Sequence, residues 1–110
     1  MESYYRPNDL PKFKEIAEGN PELAAKFFDY YGAVFAEGAL TQREKSLIAL
    51  AVSHTVQCPY CIDAYSNACL EKGADIEEIT EAIHVATAIR GGATLVHGVQ
   101  TLNHISKKTQ

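Results

Sequence analysis

No stretch of this sequence approaches the roughly 20 apolar residues that a membrane-spanning helix requires, so a helical membrane protein is excluded. Nor does it carry positive charge to spare. Ten Lys and Arg against 14 Asp and Glu leave a net charge of −4, which speaks against nucleic acid and against an anionic membrane surface as partners. The opening residues, Met1-Glu2-Ser3-Tyr4-Tyr5-Arg6-Pro7, lack the apolar segment of a secretory signal. A cytoplasmic location is therefore expected, where cellular reductants keep structural thiols reduced. There are only three cysteines, which cannot all pair within one chain, and this argues against a disulfide scaffold. Internal repeats, low-complexity tracts and strand-like alternation are also missing.

What is present is an amphipathic helical pattern over 110 residues, 46% of them hydrophobic. That length suits a single domain, 1–110, able to bury a core without staples. A short helix is expected from about Leu10 to Glu18, capped by Asp9 and ended by Gly19-Asn20. Asn20 and Pro21 start a second helix, carrying Leu23, Phe27, Tyr30 or Tyr31 and Val34 on one face. It is expected to stop near Glu37, with Gly38 in the left-handed conformation just past its end. Thr41 and Glu44 form a capping box for a third helix. Its stripe of Leu47, Ile48, Ala51, Val52 and Thr55 predicts burial on most sides. Pro59 suits only the first turn of a new helix, which should run to about Lys72 and end at Gly73. Asp75 with Glu78 caps the next, which carries Ile76, Ile79, Ile83, Ala86 and Ile89. Gly91-Gly92 is expected to interrupt it before the pattern resumes to Ile105. Unbroken from Ile76 to Lys107, that helix would span about 48 Å, far beyond the radius of gyration of about 13 Å for a compact domain. Either the glycine pair turns the chain, or the last helix projects onto a neighbouring subunit. The expected fold is all-α, a compact bundle of five to six helices.

The chemistry sits in Cys58-Pro59-Tyr60-Cys61. Cys58 falls at the N-cap of the Pro59 helix and Cys61 at its third position. First-turn N–H groups have no carbonyl partners, and the helix dipole adds partial positive charge, so a thiolate is favoured there. The non-helical dihedrals of a cap residue allow the two sulfurs to bond and part with little strain. Two other readings stand beside redox chemistry. Zinc wants about four ligands, and His54 and Cys69 are the residues that would have to complete the set. Alternatively the cysteines are buried and inert.

The segment 40–98 resembles the carboxymuconolactone decarboxylase superfamily, and within it the alkylhydroperoxidase D-like proteins. The resemblance is carried by Arg43-Glu44-Lys45-Ser46-Leu47-Ile48, by Cys58-Pro59-Tyr60-Cys61-Ile62 and by Lys72-Gly73-Ala74-Asp75-Ile76. Across its length the chain is also similar to a narrower group linked to arsenosugar biosynthesis and described as peroxidase-like, through Tyr30-Tyr31-Gly32-Ala33-Val34-Phe35 and Arg90-Gly91-Gly92-Ala93. The resemblance implies an all-helical fold, assembly into trimers or hexamers and peroxide reduction without a cofactor or metal. It assigns the attacking thiolate to Cys61 and the resolving thiol to Cys58, with a small hydroperoxide as substrate and an external thiol as reductant.

The sequence departs from that pattern in the proton relay. The family's Glu is replaced by Ser46, and its two His by Tyr60 and Tyr65. Tyrosine, with an ordinary pKa near 10, is a poor base at neutral pH. Candidates to replace the lost groups are His54, Glu44, Tyr60, Tyr65, His84 and His97, although each is equally at home as a structural or surface residue. Two further functions are kept open. One is a non-enzymatic dithiol module for a thiophilic species such as trivalent arsenic. The other is lactone decarboxylation, which would not need a redox-active Cys-x-x-Cys.

Overall fold

The computed structural model describes residues 3–109. It is all-α, with a 3₁₀ helix over Pro7–Glu18 followed by α1 (Pro21–Phe35), α2 (Gln42–Thr55), α3 (Pro59–Glu71) and α4 (Ile76–Thr109). Helix starts follow the side-chain signals. The Asn20 side chain accepts from the Leu23 N–H at 3.1 Å. Thr41 and Glu44 exchange the two bonds of a capping box at 3.1 and 2.9 Å. Asp75 and Glu78 do the same at 2.8 and 3.1 Å. Each cap satisfies N–H groups that the helix itself leaves without carbonyls.

Three helix boundaries differ from expectation. The first helix begins at Pro7 without a side-chain cap, and Asp9 pairs with Lys12 at 3.6 Å instead. α1 stops at Phe35, where Ala36 turns extended. Gly38 is not left-handed, since Gly73 is the only glycine with positive φ among the described residues. The exposed carbonyls at the end of α1 are taken by Lys45, whose Nζ donates to Val34 and Ala36 at 2.7 and 2.6 Å. A side chain from the next helix thus does the work expected of a glycine. The pair Gly91-Gly92 does not break α4, which runs unbroken for 34 residues. Each glycine costs only about 1 kcal/mol in a helix, too little by itself to end one.

α2 is the central element, packed on α3 along one side and on α4 along another. The core between them is small. Leu50 and Cys69 are fully buried beside Ala74, with Leu47, Tyr65 and Ile79 packed against them. α2 is not buried on most sides, because Ile48 and Val52 remain about half exposed, at 50% and 52%. An aromatic ladder fixes the N-terminal third. Phe13 meets Phe28 at 5.1 Å, Phe27 meets Tyr31 at 5.7 Å, Tyr31 meets Phe35 at 5.0 Å, and Phe35 stacks on Tyr65 of α3 at 5.3 Å. The far half of α4 extends from this body, so the radius of gyration is 18.9 Å and the longest dimension 58 Å. No helix is long and apolar enough to cross a membrane among the described residues.

Candidate active site

The turn that presents the two cysteines is set by how α2 ends. Gln57 takes a left-handed conformation, with φ of 55°. Its N–H returns to the His54 carbonyl at 3.3 Å, while the Cys58 N–H reaches the Ser53 carbonyl at 3.1 Å. These two bonds satisfy the last carbonyls of α2 in a Schellman arrangement. Arg90 of α4 donates to the Thr55 carbonyl at the same helix end. Cys58 is therefore both the third residue past α2 and the N-cap of α3. Its sulfur accepts from the Cys61 N–H at 3.2 Å, and Pro59 fills the first helical position, where no N–H is needed.

Both thiols are free and half-buried. Burial, the hydrogen bond to Cys58 and the charge of Cys58 together push the Cys61 thiol up from 9.0 to about 11. Cys61 opens onto a cavity of about 430 Å³ with an almost wholly apolar lining. α1 supplies Tyr31, Val34 and Phe35, and the loop after it Leu40. α2 supplies Lys45, Ile48, Ala49, Val52 and Ser53, with Val56 just beyond, and α3 closes it with Cys61 and Tyr65. The Ser53 hydroxyl turns away to the Ala49 carbonyl at 2.6 Å. Tyr31 is half-buried, and burial followed by the charge of Cys61 and Cys58 raises its pKa. It is thus a protonated hydroxyl facing the dithiol across an apolar space.

The candidates for the proton relay scatter. Tyr65 lines the cavity with Cys61. Tyr60 binds the N-terminal arm, donating to the Tyr4 carbonyl at 3.0 Å and accepting from the Arg6 N–H at 3.2 Å. Glu44 is committed to the α2 cap, whose hydrogen bonds hold its carboxyl below the ordinary value. His54 lies with Tyr5, Pro59 and Asp63 in a separate depression and has its Nδ1 at 2.9 Å from the Leu50 carbonyl. His84 and His97 are exposed on α4, the latter with Nδ1 at 3.4 Å from Gln100 Oε1. Ser46, at the family's Glu position, is buried and bonded to the Gln42 carbonyl at 2.9 Å. No three His, Cys, Asp or Glu side chains converge to hold a metal ion among the described residues. Cys69, needed for a zinc set, sits in the core with Leu50 and Ala74.

Tyr31 was not among the candidates drawn from the sequence. It lies 27 residues before Cys58, and an aromatic residue on an apolar helical face reads first as core. The signal that would have found it is the row Phe27, Tyr31, Phe35 at spacings of four, with a hydroxyl in the middle.

Comparison with other proteins gives the lineage. Residues 21–103 match the carboxymuconolactone decarboxylase family. The chain is 48% identical, over 88 residues covering 80% of it and 79% of the relative, to uncharacterized protein 4 in the cox locus of Paracoccus denitrificans. A crystal structure of a protein from Methanobacterium thermoautotrophicum covers 78% of this chain and 97% of its own, with a TM-score of 0.74 and 37% identity. The apo crystal structure of a carboxymuconolactone decarboxylase family protein from Legionella pneumophila covers 94% and 92%, with a TM-score of 0.69 and 27% identity. With three-quarters of its length inside the family's pattern and the same helical fold as a structurally characterised member, this chain belongs to the carboxymuconolactone decarboxylase family.

Proposed function

We propose that the protein is a thiol-dependent peroxidase that reduces organic hydroperoxides by cycling Cys58 and Cys61 between dithiol and disulfide. One observation carries this reading: Cys61 borders an apolar cavity while its thiol is hydrogen-bonded to Cys58. A cavity lined by Val34, Phe35, Ile48 and Val52 favours a hydroperoxide with an apolar tail over hydrogen peroxide.

The cycle starts from the pair after loss of one proton to solvent. The proton held at Cys61 passes to the Cys58 sulfur, leaving a Cys61 thiolate. That thiolate attacks the terminal oxygen of the hydroperoxide. An S–O bond forms, the O–O bond breaks, Cys61 is oxidised to a sulfenic acid and the peroxide is reduced to an alkoxide. The Tyr31 hydroxyl gives the alkoxide its proton and regains one from solvent. The Cys58 thiol then condenses with the sulfenic acid, forming the disulfide and releasing water. An external dithiol restores both thiols by exchange and leaves as its own disulfide. Cys58 thus takes over the base duty for which the chain has neither the family's Glu nor its His.

The test is turnover of cumene hydroperoxide by the full chain with dithiothreitol as reductant, with mass spectrometry of the oxidised product. The expected product is a Cys58–Cys61 disulfide, with turnover lost in Cys61→Ser at unchanged helicity. Equal turnover in wild type and Cys61→Ser would remove the reading. So would arsenite protection of both thiols without peroxide consumption, which would replace it with dithiol binding.

A further inference from the structure

Residues 3–6 precede the first helix and lie against the start of α3. The Tyr60 hydroxyl donates to the Tyr4 carbonyl at 3.0 Å and accepts from the Arg6 N–H at 3.2 Å. One phenol thus grips the backbone on both sides of Tyr5. The Tyr5 ring stands edge-on to the Tyr60 ring, with centroids 4.8 Å apart, and its hydroxyl donates to Asp63 Oδ2 at 3.3 Å. Asn67 donates to the other oxygen of that carboxylate at 3.3 Å. Tyr5 is half-buried and shares a depression with His54, Gln57, Pro59 and Ile62, whereas Tyr4 and Arg6 are exposed. The base of the arm is fixed separately, because Phe13 of the 3₁₀ helix is locked into the aromatic ladder.

Tyr60 stands between the two cysteines, and both thiols are free while the arm is seated on it. Joining the sulfurs disturbs that seat. Side chains three apart on a helix have Cβ atoms about 5–6 Å apart, and a disulfide needs about 3.5–4.5 Å. Cys58 has the extended dihedrals of a cap, φ of −100° and ψ of 104°, so the turn can close with little strain. The closure of about 1 Å is nevertheless borne by the residues between the cysteines, Tyr60 among them. Hydrogen bonds at 3.0 and 3.2 Å have no slack for a shift of that size.

We infer that residues 3–6 form a strap linked to the redox state of the pair, seated on Tyr60 and Asp63 while Cys58 and Cys61 are thiols and unseated when they are joined. Such a linkage is reciprocal. A strap that holds the dithiol form better biases the pair toward that form, so the seated arm opposes disulfide formation and helps the reductant reopen it. Tyr60 is a positioning residue in this arrangement. It acts through the backbone of the arm and not on the reacting sulfurs. The inference rests on the dithiol–disulfide cycle proposed above but not on peroxide, since any oxidant that joins the pair unseats the arm.

The experiment compares the full chain in its two redox forms. Glutathione disulfide is the oxidant: the two thiols give up two electrons and two protons, and it becomes two molecules of glutathione. Chymotrypsin cleavage after Tyr4, followed by mass spectrometry, reports the seat of the arm, because the Tyr4 side chain is exposed while its carbonyl is held by Tyr60. Cleavage is expected to be several-fold faster in the disulfide form. The equilibrium with glutathione is then measured for wild type, Tyr60→Phe and Tyr5→Ala. Both variants should favour the disulfide several-fold more than wild type, and both should lose the difference in cleavage between the two forms. Where seating is fast relative to cleavage, the wild-type rate ratio and the equilibrium shift are one and the same factor. Tyr5→Ala decides between causes, since Tyr5 lies outside the cysteine motif. A shift in Tyr60→Phe alone would belong to the motif and overturn the strap. Equal cleavage of the two wild-type forms, which needs no variant to fold, would overturn it and leave the dithiol cycle standing. A wild type that forms no Cys58–Cys61 disulfide at all would overturn both.

Discussion

The α2–α3 and α3–α4 junctions are built on the same backbone plan. In each, a left-handed residue ends one helix, the next N–H reaches back five residues, and the chain passes almost at once into the next helix. At the second junction Gly73, with φ of 84°, and Ala74 bond back to Leu70 and Cys69 at 3.1 and 2.9 Å. At the first, Gln57 and Cys58 make the corresponding bonds to His54 and Ser53. The residues differ where stability and reactivity part. The α3–α4 junction uses glycine for the left-handed position and a carboxylate, Asp75, for the cap. The α2–α3 junction uses Gln, which carries the Cβ penalty of that conformation, and sulfur, a weak acceptor. One junction is optimised to hold two helices together. The other accepts a poorer turn residue and a poorer cap so that a thiol stands on the N–H groups of α3.

The comparison is broken most completely by Cys58→Ser. A hydroxyl caps a helix as well as or better than a thiol, so stability should be kept or gained by up to about 1 kcal/mol in chemical denaturation. Formation of the intramolecular disulfide under peroxide should fall to nothing. The matching change at the other junction, Asp75→Ala, should cost about 1 kcal/mol and leave thiol oxidation untouched.

Next in size is the titration of Cys61. With its thiol pushed up to about 11 by burial and by Cys58, Cys61 should be alkylated at pH 8 about 100-fold more slowly than a thiol at 9.0. The Cys58→Ser change removes the sulfur to which the Cys61 thiol donates, together with its charge, and leaves burial, so the midpoint should move down toward the ordinary value. Mass-resolved iodoacetamide labelling follows Cys61 separately from the buried Cys69. Stability carries the same sign. The folded chain keeps the Cys61 proton longer than the unfolded chain, so this contribution is complete below pH 9 and is lost as the pH rises through about 11. A midpoint at or below 9 would contradict the hydrogen-bonded pair.

Backbone changes give smaller effects of opposite sign. Gly73→Ala should destabilise by about 1–2 kcal/mol, because a Cβ must enter the left-handed region. Gln57→Gly should stabilise by a few tenths to about 1 kcal/mol, since relief of that penalty exceeds the added entropy of the unfolded chain. If Gln57→Gly were destabilising instead, Gln57 would hold the dithiol turn by a contact of its side chain, and the two junctions would not be variants of one plan.

Those two positions also mark the limit of what could be read in the sequence. Gly73 announces a left-handed stop through its freedom at φ, Pro59 a helix start through its missing N–H, and Asn20, Thr41 and Asp75 helix starts through bonds to residues three away. Gln57 announces nothing. Its left-handed conformation goes with the bonds by which Gln57 and Cys58 return to His54 and Ser53. Gly38 and Gly91-Gly92 were misleading for a related reason. A glycine permits a turn without requiring one: at one place the Lys45 ammonium took the free carbonyls, and at the other the helix ran on through the pair. Within the candidate site, Cys58 and Cys61 were legible because their relation is three residues of one helix. Tyr31 was not, because its relation to them passes through the packing of α1 against α2 and α3.

The sequence by itself determined the helical content, the positions of most caps, the sulfur pair at the start of α3 and the family to which the chain belongs. These follow from periodicity and from short-range hydrogen bonding, which involve neighbours along the chain. The tertiary structure decided that Cys61 faces an apolar cavity, that Tyr31 shares it while His54 and Glu44 do not, and that α4 continues straight past its glycines. Those outcomes depend on which helix faces pack together and how much apolar surface is left over. Both are sums over distant residues, and no local pattern carries them.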